Sequence, residues 1–313
     1  MGRVSPTLGE SLRTCALQVA FRLDDRFKAY RRPGTAAALG IASHELLEEV
    51  GDGAFSGLVG SALRGALERR WDELVASRVE ELRQAWPLGK VPEPPRWPGY
   101  ELMHTRLIAS LAQQVERASN AAPGFRAAKV EAELWLEDEA GVIGGRVDRI
   151  ERRSDGVRII DLKSGWTLGR DVTESQKRQL LIYAYLWHAN HGAWPVEAAI
   201  QYPDGTRRAV AAAGDDATAA AESLRQAREA YNDRAKTGAN AEDLAEPSSE
   251  ACARCPFKAS CPYFFASAKP DWDWYRPSIL MMLSQADRDN GVTLIRGRVL
   301  ASTSTRTPPP GAA

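Results

Sequence analysis

Asp161 and Lys163 stand two positions apart in an otherwise aliphatic run, "RIIDLKSG" at residues 158–165. In an extended strand they share one face, while Ile160 and Leu162 share the other. A charged pair buried on a strand costs free energy, which invites a functional explanation. A second acid, Asp148 in "GGRVDRI", shares its face with Arg146 and Ile150. Pairing of the two segments through the "RSDG" turn brings Asp148 and Asp161 together near adjacent strand ends. Two close carboxylates repel each other unless a cation sits between them. Oxygen donors suit magnesium or manganese. Lys163 beside such an ion can orient an attacking water or offset charge growing on phosphorus. These are the parts of a metal-dependent phosphodiesterase. A lone D-x-K triplet is more simply a surface ion pair, so its company decides.

The elements that must position these residues are legible in outline. "AKVEAELWLE", "VIGGRVDRIERR" and "GVRIIDLKSG" read as three successive strands joined by the turns "DEAG" and "RSDG". "TESQKRQLLIYAYLWHAN" returns to helical period behind a capping Thr173, with Gln179 and Tyr183 four apart on one face. Two short strands follow, near Glu197–Tyr202 and Thr206–Ala211. Helices are expected over Ser11–Tyr30, over "TAAALGIASHELLEEV", from residue 56 to 86, from Glu101 to Ser119 and from Asp215 to Thr237. The proline-rich 87–99 reads as a connecting loop. "VTLIRGRVL", near the C-terminus, reads as a possible strand, and the final "ASTSTRTPPPGAA" as a disordered tail.

In order along the chain, Gly40-x-x-x-His44, Gly145-x-x-Asp148, "IIDLKSG" and Gln179-Leu-Leu-Ile-Tyr183 resemble the motifs of RecB-like nucleases of the PD-(D/E)XK superfamily. The chain also resembles the related CRISPR-adaptation exonucleases and helicase-nuclease subunits. The resemblance covers roughly Ser5 to Phe265. It implies an α/β, restriction-endonuclease-like central mixed sheet flanked by helices, with an N-terminal helical region and a cysteine-cluster staple. It further implies that Asp148, Asp161 and His44 bind Mg2+ or Mn2+, that Lys163 is catalytic, and that Gln179 and Tyr183 stand beside the site. A further acidic ligand often precedes the Asp148 motif in this superfamily. Glu131 and Glu133 are both candidates.

Three of the four cysteines, Cys252, Cys255 and Cys261, are spaced C-x2-C-x5-C, and Cys15 lies more than two hundred residues upstream. Such a triplet needs a fourth ligand, and thiolates suit an iron-sulfur cluster or zinc. The resemblance implies a four-iron four-sulfur cluster with Cys15 as the fourth ligand, zinc being the alternative. Related chains commonly have proline after the first cysteine, whereas Ala16 follows Cys15. The organisation expected is an N-terminal helical part of the nuclease (1–128), the nuclease core (129–240), the cysteine segment (241–268) and a C-terminal extension (269–313).

Bulk properties agree with a globular protein. The chain has 313 residues, 44% hydrophobic and 26% charged, and a formal net charge of zero, so overall electrostatics does not advertise a nucleic-acid binder. Between Gly145 and Arg178, nine basic residues stand against six acids. Trp166, Tyr183, Tyr185 and Trp187 follow nearby, where aromatics stack on unpaired bases or, more commonly on helices, pack in the core. No apolar run is long enough to span a bilayer and no secretion signal is evident, so a cytoplasmic location without membrane contact is expected. Related proteins cut DNA, frequently from single-stranded or free ends, so a DNA exonuclease of repair, recombination or defence is expected. No P-loop is present, so unwinding would need a separate helicase, or a CRISPR-adaptation partner chain would supply the context. Two rivals are a non-catalytic DNA-binding or partner-binding module of the same fold, and a zinc-stapled structural protein.

Overall fold

The computed structural model describes residues 1–86, 91–120, 129–163, 171–212 and 214–267. The possible strand near the C-terminus, the tail and Trp166 lie outside the described residues. The chain forms two compact units. One comprises Met1–Glu10, Thr35–Val79 and Glu93–Ala230, and the other Ser11–Gly34, Glu80–Pro92 and Tyr231 onward.

The first unit is built on a five-stranded mixed sheet in the order β1-β2-β3-β4-β5. Its strands are β1 (Lys129–Glu137), β2 (Gly144–Arg153), β3 (Gly156–Leu162), β4 (Glu197–Gln201) and β5 (Arg207–Val210). The first three form the expected antiparallel meander. β3 then pairs with β4 in parallel, which requires a crossover. That crossover carries a long helix, Glu174–His191. The β4–β5 pair closes the sheet as an antiparallel hairpin.

The helices, in chain order, are α1 (Pro6–Thr14), α2 (Ala16–Leu23), α3 (Thr35–Gly51), α4 (Gly60–Ala85), α5 (Tyr100–Ser119), α6 (the crossover), α7 (Gly214–Lys236), α8 (Ala241–Leu244), α9 (Ser249–Ala253) and α10 (Pro262–Ser267). α6 begins with a capping box: the Thr173 hydroxyl accepts from the Gln176 N–H, and the Gln176 side chain accepts from the Thr173 N–H. It ends at Gly192, in the left-handed conformation at φ 71°.

One expectation fails. The continuous helix over Ser11–Tyr30 is interrupted at Cys15, whose backbone is extended (φ −166°, ψ 105°) between α1 and α2. A second break at Asp24 turns the chain into a 3-10 segment, Asp25–Tyr30, where the Asp24 carboxylate accepts from the Arg26 N–H. The apolar spacing continues across both breaks, so periodicity alone does not report them.

The sheet's core is aliphatic: Val147, Ile150, Ile159, Ile160, Ala198, Ala199 and Ile200 are fully buried. Two acids, Glu151 and Asp161, are buried among them. Glu151 is buried and ion-paired to Arg149, Arg153 and Arg207. Those partners hold its carboxyl down at about 2 despite the opposing effect of burial.

Candidate active site

Strand register sets the site. β1 and β2 pair Ala132 with Arg149 and Leu134 with Val147, so Glu133 stands opposite Asp148. β2 and β3 pair Arg149 with Ile160, and one further step along that register sets Asp148 opposite Asp161. Glu133, Asp148 and Asp161 therefore occupy one row across three neighbouring strands. Glu133 has φ 51°, a left-handed conformation that is uncommon for a residue with a side chain.

The carboxylates are embedded in a defined shell. The Leu162 N–H donates to Asp148 Oδ2 at 2.7 Å. His44, from α3, brings Nδ1 to 4.0 Å from the same oxygen. Donor atoms of His44, Glu133 and Asp148 all lie within 4.8 Å of one another. Asp161 is 1% exposed, with Lys163 Nζ 2.7 Å from its Oδ2, yet neither of its oxygens accepts a hydrogen bond of good geometry. Buried polar atoms are rarely left so.

Protonation follows from this arrangement. Burial, then the nearby Asp161, pushes the Asp148 carboxyl up to about 8. Burial also raises Asp161, with Lys163 opposing. His44 is lowered, chiefly by burial, which favours the neutral imidazole that ligates metals. The buried, under-satisfied Asp161 carboxylate, the neighbouring Asp148 and Glu133 carboxylates and a neutral imidazole make an oxygen-rich set that fits a hard divalent cation.

Lys163 is aimed by a relay. Its N–H pairs with the Gln201 carbonyl at 3.0 Å, extending β3 beside β4. Its ammonium donates to Gln179 Oε1 at 2.9 Å, and Gln179 Nε2 donates to the Tyr183 hydroxyl at 3.3 Å. An ammonium can only donate, so it dictates which end of the amide turns toward it. Burial and the adjacent acids raise the Tyr183 phenol, which stays protonated. His44, Asp148, Asp161, Lys163, Gln179 and Tyr183, together with Ser5, Thr7, Trp135, Gly145 and Arg146, line one cleft of about 380 Å³.

The structure thus brings together His44, Asp148, Asp161, Lys163, Gln179 and Tyr183. Between the two candidate acids, Glu133 faces the cluster, whereas Glu131 is bound by Arg152 at 3.0 and 3.3 Å. Sequence reasoning missed Trp135, Ser5 and Thr7. The N-terminal segment reaches the cleft because Val4 forms a parallel bridge with Ile143, a long-range pairing with no local signal. Of the aromatics considered for stacking, Tyr183 and Trp187 are buried, and Tyr185 accepts from Arg225.

A profile of the PD-(D/E)XK nuclease superfamily matches residues 3–262. The chain belongs to the PD-(D/E)XK nuclease superfamily. Its sheet and flanking helices are the restriction-endonuclease-like α/β fold of these metal-dependent nucleases. Among solved structures, the "Crystal structure of SSO0001" is similar at 18% identity, covering 72% of this chain and 97% of that one at a TM-score of 0.32. No curated protein matches. Among the described residues, no helix of this superfamily member is long and apolar enough to cross a membrane.

In the second unit, Cys15, Cys252, Cys255 and Cys261 line a common pocket with Leu17, Phe21 and Phe264. Burial pushes the Cys255 thiol up to about 12 and the Cys261 thiol to about 11, and the neighbouring thiols add to both. Among the described residues the sulfurs do not gather into a ligand set as compact as that of His44, Glu133 and Asp148.

Proposed function

We propose that this chain is a DNA exonuclease that hydrolyses phosphodiester bonds with a divalent cation held by Asp148, Asp161, His44 and Glu133. The observation that carries the reading is the buried Asp161 carboxylate, which lacks good hydrogen bonds and sits beside Asp148 and Lys163. When bound, Mg2+ or Mn2+ supplies charge neutralisation at the phosphate and eases deprotonation of water. The chain's own residues do the positioning. Lys163, fixed by Gln179, places a positive charge where the phosphate gains negative charge and can orient the incoming water. Tyr183 holds the far end of the Gln179 amide. Arg146, at the rim and 2.8 Å from Glu133, offers a cation to a neighbouring phosphate.

The resemblance to RecB-like nucleases further supports a four-iron four-sulfur cluster on Cys15, Cys252, Cys255 and Cys261. All four cysteines line one pocket, which supports a shared metal group there, zinc being the alternative. Its role would be to join distant parts of the chain, restricting the unfolded ensemble. DNA repair, recombination or defence is the expected setting, with any unwinding supplied by a separate chain.

The test is digestion of end-labelled single-stranded DNA, linear and circular, with and without Mn2+. The wild type should shorten the linear strand only when the metal is present and spare the circle, and Asp161→Ala should do neither. Cleavage independent of metal, or equal cleavage by Asp161→Ala, would overturn the assignment. Nicking of the circle would replace exonuclease by endonuclease.

A further inference from the structure

Among the described residues, five large apolar side chains are exposed, and Trp135 is the aromatic one. It is 47% exposed and lines the cleft that holds Asp148, Asp161 and Lys163. An exposed tryptophan is unremarkable in isolation. This one stands two residues beyond Glu133 on β1, opposite Arg146, and so about 7 Å along the strand from the row of acids.

Its indole is also held in place. Nε1 donates to Glu137 Oε2 at 3.3 Å, and the Arg3 guanidinium lies over the ring, 5.3 Å from its centroid. The same Glu137 oxygen binds Arg3 at 2.7 Å, and Arg3 Nε donates to the Gly141 carbonyl at 3.4 Å. Gly144 makes room for both groups: a Cβ there would stand 2.8 Å from Trp135 Cζ2 and 2.9 Å from Arg3 Cδ. A large apolar ring kept half in water, yet fixed by a carboxylate and backed by a cation, is a preorganised stacking surface.

We propose that Trp135, backed by Arg3, stacks on an unpaired base next to the scissile phosphate, and that the site thereby selects single-stranded DNA. This rests on the nuclease reading of the same cleft. In a duplex each base is already stacked and paired, so its face is available only after melting. Stacking on an aromatic side chain is tolerant of base identity, so the selection is for strandedness and little for sequence.

The experiment compares wild type, Trp135→Ala and Trp135→Phe on two substrates with Mn2+: a single-stranded oligonucleotide and a chain of tetrahydrofuran abasic residues, which keeps the phosphodiesters and has no ring to stack. Trp135→Ala should lose roughly 5- to 100-fold in kcat/KM on the oligonucleotide, mainly through KM, and cut the abasic chain as the wild type does. Trp135→Phe should retain most of the oligonucleotide activity. On the substrate side, abasic residues at the cleaved end should reduce wild-type cleavage by a similar factor and add nothing to the loss in Trp135→Ala. The wild-type half of that arm needs no variant, so misfolding of a variant does not blunt it. The proposal is overturned if Trp135→Ala cuts the oligonucleotide normally, if it loses both substrates equally, or if the wild type is indifferent to abasic ends. Wild type inert on both substrates would instead remove the nuclease reading, and this proposal with it.

Discussion

Lys163 and Gln179 meet across the crossover: the ammonium on the end of β3 donates to the amide oxygen on α6 at 2.9 Å. Their contact turns a flexible four-carbon side chain into a directed charge, because the amide is itself fixed on its far side by Tyr183. On the proposed reading Gln179 is a positioning residue. Gln179→Ala should lower kcat by on the order of 10- to 100-fold while leaving Mn2+ affinity and KM nearly unchanged. Single-turnover cleavage with a parallel metal titration reads both quantities. An unchanged rate would remove Gln179 from the account.

The acid row predicts a proton linkage. With the Asp148 carboxyl raised to about 8, the metal-free protein carries a proton there at pH 7, and a cation must displace it. Mn2+ binding at pH 7 should release protons, and more of them at lower pH, measured by calorimetry in buffers of different ionisation enthalpy. The stability consequence has a definite sign. A carboxyl whose folded value lies above its ordinary one contributes stability that is full below about pH 4 and is lost as pH rises through about 8. Asp148→Asn, which cannot ionise, should therefore raise the melting temperature of the metal-free protein at pH 8 to 9. A lower melting temperature there would contradict the repulsion.

Gly145 tests the packing beneath the site. A Cβ at this position would lie 2.9 Å from Tyr183 Cε1 and 3.1 Å from Pro6 Cδ, so Gly145→Ala must push aside a buried ring or the chain entering α1. The expected destabilisation is about 1–3 kcal/mol, with reduced cleavage because Tyr183 no longer braces Gln179. Urea unfolding at the wild-type midpoint would show the glycine to be dispensable.

How much of this was legible in the sequence follows from which physics is local. Asp161 and Lys163 share a face because strand period is two, and the alternation in "RIIDLKSG" shows it. The capping box at Thr173 and Gln176 is likewise local, and α6 begins where it predicts. Glu133 and Glu131 also share a face, so period cannot separate them. Register does: Glu133 falls opposite Asp148, and Glu131 falls opposite Ile150, where Arg152 binds it. The break at Cys15 was hidden because the apolar spacing runs through it. Trp135 was hidden for a different reason, since alternation in "VEAELWL" does not say which face is covered.

The thiols offer a separate check. Burial holds Cys255 and Cys261 as neutral thiols in the absence of a metal, so ligation must bring the negative charge and its compensation together. Protein purified without oxygen should be brown, with about four irons per chain, and Cys255→Ser should be colourless and melt at a lower temperature. Full colour and unchanged melting in Cys255→Ser would remove that cysteine as a ligand. Stoichiometric zinc in colourless wild type would replace the cluster by a single ion.

The most direct measurement is anomalous diffraction from crystals soaked in Mn2+. The account predicts a manganese peak in the cleft within coordination distance of Asp148 and Asp161 oxygens, with His44 or Glu133 completing the set and Lys163 alongside. A cleft without such a peak at saturating Mn2+, or a peak that touches neither aspartate, would contradict it.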